Sequence, residues 1–382
     1  MFRFDEYKLR KFDFRMVILI IALCVVGYLV LNSAMVNDAD RELTLNKQLL
    51  GFCVGGVAML FFALFDYHLL LKLGPLIYIG NLALLGAVLL FGVKLKNATR
   101  WLDIGFTQIQ PSEFSKIALI IFFASFFMMN RERISKPLVV GGSLLLFAVP
   151  AFLILEEPDL STTLVTTVIF LAMLYVAKIS YKWIIGAVAV AVPVAIGFLY
   201  IVIQEGQTLL EGYQLNRILS WIYPEQYAST GLTTQQEHSR LAIASGQLHG
   251  KGLNNASFES VKNGNFLSEE NCDFIFAVVG EELGFIGSVC VIGLLALLVV
   301  ECFRIGARAK DLGGRLICIG VGSLIAFQTF VNIGVASDLL PNTGLPLPFL
   351  SAGVSSLLSI FIGMGIVLNV GLQRSDRSDS DW

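Results

Sequence analysis

Asp273, Glu281 and Glu282 stand in the stretch SEENCDFIFAVVGEELGF (268–285), an aspartate at the mouth of a long apolar run with two glutamates two turns further in. An acid at the centre of a membrane helix costs roughly 2.5 to 3.5 kcal/mol on insertion scales, so acids entering such a run are candidates for a pathway or a reaction centre. Asp273 also suits a helix N-cap, where its carboxylate would accept from the first free N–H groups. A cap needs no acids beneath it. At about 100° per residue, Glu281 falls about 80° and Glu282 about 180° from Asp273, so Glu281 is nearer its face and Glu282 packs between helices.

Three further groups carry chemistry. Glu113 and Lys116 are three residues apart after Pro111 and share one face at a helix start. They could form a local ion pair; alternatively Lys116, with Arg100, could receive a diphosphate as a compact charge. Asp159 in EEPDLSTT (156–163) has the position of an N-cap, and with Glu156 and Glu157 it could instead hold a hard divalent ion, Mg or Mn. The run PNTGLPLPFLSAGVSS (341–356), rich in proline and glycine, cannot form a regular helix, and such backbone is tolerated at membrane depth only beside protein or a wet cavity.

The elements that position these groups follow from composition. The chain has 382 residues, 56% of them apolar and 15% charged, which is a polytopic membrane protein rather than a soluble domain. Runs able to cross a hydrocarbon core occur near 16–35, 48–65, 73–93, 113–129, 138–155, 161–177, 183–203, 274–302, 314–335 and 349–371. The expected fold is therefore all-α with about ten transmembrane helices. Of the 27 Lys and Arg, 17 lie in the N-terminal segment, the even-numbered connections and the tail, against nine in the odd-numbered connections. The positive-inside rule puts both termini in the cytoplasm and the catalytic candidates outside.

That orientation leaves a large extracytoplasmic loop, 204–272, between the seventh and eighth spans. Trp221, Tyr223 and Tyr227 are expected there at headgroup depth. Residues 1–371 read as one transmembrane domain, and 372–382 as a polar, disordered cytoplasmic tail. SGQLHGKG (245–252) departs from a phosphate loop at both ends, and no basic patch with interleaved aromatics suggests nucleic acid. The three histidines show no metal spacing, and the six cysteines show no CxxC.

Six ordered segments resemble the SEDS family (shape, elongation, division and sporulation): TRWLDIGFTQIQPSEFSKIALI (99–120), EEPDLSTTLV (156–165), GYQLNRI (212–218), AIASGQLHGKGL (242–253), DFIFAVVGEELGFIG (273–287) and PNTGLPLPFLSAGVSSLLS (341–359). The resemblance implies a peptidoglycan glycosyltransferase of the bacterial plasma membrane that polymerises lipid II, with the N-terminal part nearest the elongation (RodA-like) branch. Division and sporulation branches carry the same chemistry. It matches the family's essential aspartate to Asp273, its PSE glutamate and following lysine to Glu113 and Lys116, and its PDL acid to Asp159. Arg100, Trp101, Arg217, Lys251, Ser351 and Ser355 are further substrate-binding candidates, with Glu281 and Glu282 in support.

The same resemblance implies as partners lipid II, undecaprenyl-diphosphate-linked glycan, a class B penicillin-binding protein transpeptidase and other elongation-complex membrane proteins. This chain departs from the family pattern at Cys272, Ala244, Asp338, Ala352 and Val354. A lipid II flippase would also use intramembrane acids and broken helices, but would need unusual residues at both faces. A scaffold without chemistry would leave Asp273 a cap.

Overall fold

The computed structural model describes residues 12–36, 38, 40–95, 98–103, 105, 108–183, 232–254 and 272–373, with isolated positions between 185 and 226. Its helices are α1 (Phe14–Ala34), α2 (Arg41–Leu64), the short α3 (Tyr67–Lys72), α4 (Gly74–Phe91), α5 (Pro111–Met129), α6 (Pro137–Glu156), α7 (Leu160–Val176), α8 (Leu232–Ser245), α9 (Ile275–Ala307), α10 (Leu312–Ala336) and α11 (Val354–Leu372). Eight of them are long and apolar enough to cross a membrane, and α7 is a shorter apolar helix of 17 residues. At about 1.5 Å per residue α7 still reaches about 26 Å, close to the hydrocarbon thickness. Nine of the ten expected spans thus coincide with helices. The span expected at 183–203 falls mostly outside the described residues, as do Arg217, Tyr227 and the tail; Trp221 and Tyr223 are exposed.

Three helices form the interior. α5, α10 and α11 are buried on most of their circumference, while α1, α2, α4 and α6 keep large apolar side chains such as Ile18, Val57, Leu90 and Leu138 outward, toward lipid. Because lipid is as apolar as a leucine side chain, such helices associate through close packing rather than through the hydrophobic effect. The α2/α11 contact illustrates this: a Cβ on Gly365 would lie 2.5 Å from the Met59 carbonyl, so only glycine lets the backbones meet there.

Three features correct the sequence expectation. The connection after α4 is a small antiparallel sheet, β1 (Val93–Leu95), β2 (Ala98–Asp103) and β3 (Gln108–Ile109), with Val93 opposite Trp101 and Leu102 opposite Ile109. The last span begins at Val354 rather than near 349, because Pro346, Pro348 and the positive-φ Phe349 keep the approach irregular. The eighth span is two helical pieces. Gly284 has φ 67° and ψ −164°, a conformation essentially reserved for glycine, and it separates the segment 275–283, buried through Glu282, from the membrane-crossing part. Glu281 and Glu282 therefore lie inside protein, which is why they are tolerated.

Candidate functional site

The outer ends of α1, α5, α7, α9 and α11 meet around the irregular segment 337–353, whose Leu345, Leu347, Phe349 and Leu350 are all buried. Its backbone groups, which a helix would have satisfied internally, are taken up by side chains from neighbouring elements. Ser161 donates to the Thr343 carbonyl. Asn332 Nδ2 on α10 donates to the Leu345 carbonyl at 2.8 Å and to the Asp273 carbonyl at 2.9 Å. Ser351 Oγ accepts from the Leu347 N–H at 2.8 Å and donates to the Cys272 carbonyl at 2.6 Å.

Asp273 is consequently held by its backbone on both sides. The N-cap of α9 is Phe274, without a side-chain cap bond, so Asp273 stands one residue outside the helix and is not its cap. It is partly exposed, whereas Phe274 to Glu282 behind it are all buried. Cys272 and Ala352, two departures from the family pattern, touch each other: the thiol donates to the Ala352 carbonyl at 3.3 Å.

The two glutamates below serve the break in α9. Interrupting the helix at Gly284 frees the carbonyls of Glu281 and Glu282, which accept from the N–H groups of Lys251 and Gly252, each at 2.9 Å. Lys251 Nζ meets Glu281 Oε1 at 2.8 Å, and Glu282 Oε1 accepts from Ser33 Oγ on α1 at 2.6 Å. Glu282 thus packs between helices as its angular position suggested. Two N–H groups of the 245–252 segment are spent on these carbonyls, so it is no phosphate cradle.

Glu113 and Lys116 occur as the local ion pair. Lys116 Nζ is 2.8 Å from both Glu113 oxygens, and both residues are buried, Lys116 completely. The lysine is not offered at the headgroup surface in this structure. Asp159 caps α7: its Oδ1 accepts from the Thr162 N–H at 3.1 Å, and its Oδ2 from Thr162 Oγ1 at 2.9 Å and Gln110 Nε2 at 3.2 Å. Ser355 Oγ in turn accepts from the Gln110 N–H at 3.2 Å, which links α11, the start of α5 and α7. Arg100 Nε donates to the Glu157 carbonyl at 3.1 Å and Nη2 donates to the Pro158 carbonyl, tying β2 to the α6–α7 connection; Trp101 beside it is partly exposed.

Glu157 is fully buried, and among the described residues neither carboxylate oxygen has a hydrogen-bond partner. Burial, with Asp159 close by and only partly offset by Arg100, pushes it up to about 8. Among the described residues no three His, Cys, Asp or Glu side chains converge on a metal site. With both Asp159 oxygens occupied, these acids do not fit the divalent ion expected there.

Gln110 and Asn332 were not singled out from the sequence, although both organise this face. Asn332 carried a usable signal, being an amide within a membrane helix, where polar side chains are costly and mark function. Gln110 lies in a quoted motif but looks like an ordinary loop residue.

The chain belongs to the FtsW, RodA and SpoVE family: the family model described as "Cell cycle protein" matches residues 14–376. A probable peptidoglycan glycosyltransferase FtsW of Trichlorobacter lovleyi is 34% identical, covering 98% of this chain and 97% of its own. The peptidoglycan glycosyltransferase MrdB of Escherichia coli K12 is 33% identical, covering 96% of this chain and 95% of its own. A solved structure described as "Structural coordination of polymerization and crosslinking by a peptidoglycan synthase complex" matches with a TM-score of 0.77 at 27% identity, covering 96% of this chain and 99% of that one. The protein is a multi-pass protein of the plasma membrane.

Proposed function

We propose that this chain is a peptidoglycan glycosyltransferase that polymerises lipid II into glycan strands at the outer face of the plasma membrane, in the elongation branch. The observation that carries the reading is Asp273: a partly exposed residue outside α9, its backbone held by Asn332 and Ser351, beside the irregular segment 337–353. The identities to an FtsW and to MrdB are nearly equal, so the branch rests on the character of the N-terminal segment.

In this reading the 4-hydroxyl of the sugar on one lipid-linked disaccharide attacks the anomeric carbon of the growing chain. The new C–O bond forms as the bond to undecaprenyl diphosphate breaks, with inversion, and Asp273 accepts the hydroxyl proton. A positioned base contributes typically about 10²- to 10⁴-fold. Arg100, at the outer face, is the group suited to the charge that grows on the leaving diphosphate. The buried Lys116 and Glu113 pair supports the reading as a positioning unit for the start of α5. A groove of about 490 Å³, lined by Ile77, Gly80, Asn81, Leu84, Phe114 and Ala118, suits an isoprenoid tail.

The relative solved as a peptidoglycan synthase complex supports a partner. A class B penicillin-binding protein transpeptidase is the partner proposed, within a larger set of elongation membrane proteins. Incubating the purified chain with labelled lipid II, with and without that transpeptidase, tests the function. Strands on a gel are expected; transbilayer movement of fluorescent lipid II in vesicles without strand formation would instead favour a flippase.

A further inference from the structure

The inner end of the molecule holds a second concave site that the polymerase reading does not use. A cavity of about 300 Å³ opens between the connection after α5, the end of α7 and the α9–α10 connection. Arg131, Lys178, Lys310 and Arg315 line it, over a floor that includes Ile134, Val176 and Leu312. The one carboxylate in the lining among the described residues, Asp311, is already engaged by His68 Nε2 at 2.8 Å, Tyr67 Oη at 2.9 Å and the Gly314 N–H at 2.7 Å. Among the described residues the lining thus holds four cations and one carboxylate.

We propose that this cavity binds the phosphodiester head group of an anionic phospholipid of the inner leaflet. Three cations from three connections and a fourth, Arg315, from the first turn of α10 converge on one concavity that is roomier than a lone phosphate needs. Its apolar floor is continuous with the inner ends of membrane helices, where a glycerol and the start of an acyl chain would lie. Basic pockets between transmembrane helices on the cytoplasmic side are the form that acidic head-group sites take. Lys178 adds a second mark. It occupies the position after the α7 C-cap with φ 64°, where glycine is favoured, so a lysine is kept against backbone preference at the cavity's edge.

The positive-inside rule alone places cations in every inner connection, and the test must separate that bias from a built site. The full chain, purified in detergent, is titrated with phosphatidylglycerol or phosphatidylcholine and the retained lipid counted by native mass spectrometry. Wild type is expected to retain phosphatidylglycerol in preference, and the Lys178→Gln, Lys310→Gln double variant to bind it about tenfold more weakly. Arg133→Gln with Lys136→Gln, exposed cations outside the lining, should match wild type. Equal losses in the two double variants would overturn the proposal, as would absence of preference in wild type. Displacement of the lipid by equimolar inorganic phosphate would also overturn it, in favour of a soluble phosphate ligand. A melting temperature for each variant shows whether it has folded.

Discussion

At the scale of single residues, the charges of this protein are governed by what burial does to an unpaired ion. Lys116 and Glu113 are tolerated because each neutralises the other at 2.8 Å. Lys116→Met should cost about 3 to 5 kcal/mol, since it strands a buried carboxylate, and Glu113→Gln added to it should recover most of the loss; thermal unfolding of the single and double variants in detergent measures both. Glu157 is the opposite case, a buried acid with no hydrogen-bond partner among the described residues, raised from 4.5 to about 8. An acid raised in the folded state gains a proton on folding, so it penalises the fold increasingly as pH climbs from 4.5 toward 8. Glu157→Gln should therefore raise the melting temperature at pH 8 and leave it unchanged near pH 4.5. At this scale the sequence showed the acids and their spacing; it did not show which were already satisfied. The Glu113–Lys116 pair and the Asp159 cap were each legible from spacing as one of two alternatives; which alternative holds, and the Gln110 bond to Asp159, depend on side-chain geometry that spacing does not encode.

At the scale of elements, the break in α9 is what turns an apolar run into a site. A continuous helix from 275 to 307 would carry Glu281 and Glu282 as part of a membrane span; Gly284 ends the first piece and hands two carbonyls to the 251–252 backbone. Gly284→Ala should cost about 1 to 3 kcal/mol from conformation alone. A Cβ there would also lie 2.2 Å from the Gly250 nitrogen, so the melting temperature should fall and polymerisation with it. The break was not legible in the sequence, because an isolated glycine in a hydrophobic run is common and tolerated; only its φ distinguishes it.

A second element-scale device lies at the inner end, where His68 bridges Asp66 at 2.9 Å and Asp311 at 2.8 Å and so ties α3 to the start of α10. The hydrogen bond to Asp311, opposed by burial and aided by Asp66, raises His68 above 6.5. Burial pushes both acids up, but hydrogen bonds outweigh it and hold them below 3.8: from Gln373 and His68 to Asp66, and from His68, Gly314 and Tyr67 to Asp311. A raised histidine stabilises fully below its unfolded value of 6.5 and loses that contribution as pH rises through its folded value. The lowered acids contribute above 3.8 and lose it as pH falls through their folded values. The melting temperature should decline on the alkaline side of 6.5 in wild type and decline less in His68→Asn.

At the scale of the whole molecule, hydropathy and the Lys and Arg bias sufficed for the class of fold, because a bilayer permits few solutions: nine of the expected spans are helices with boundaries shifted by a few residues. The small sheet at 93–109 escaped, since short strands lack a period long enough to read; the irregular entry to α11 was legible in the prolines and glycines of 341–356, and only the helix start at Val354 was misplaced. What the assembled molecule adds is the gathering of five helix ends and a structured coil on one face around Asp273. The most direct measurement is strand formation from labelled lipid II by wild type and Asp273→Asn, each reconstituted with the transpeptidase and checked for the same melting temperature. Long strands from wild type and turnover lower by at least about 10²-fold in the variant are expected if Asp273 is the base. Strands of similar length and rate from both proteins would contradict the account.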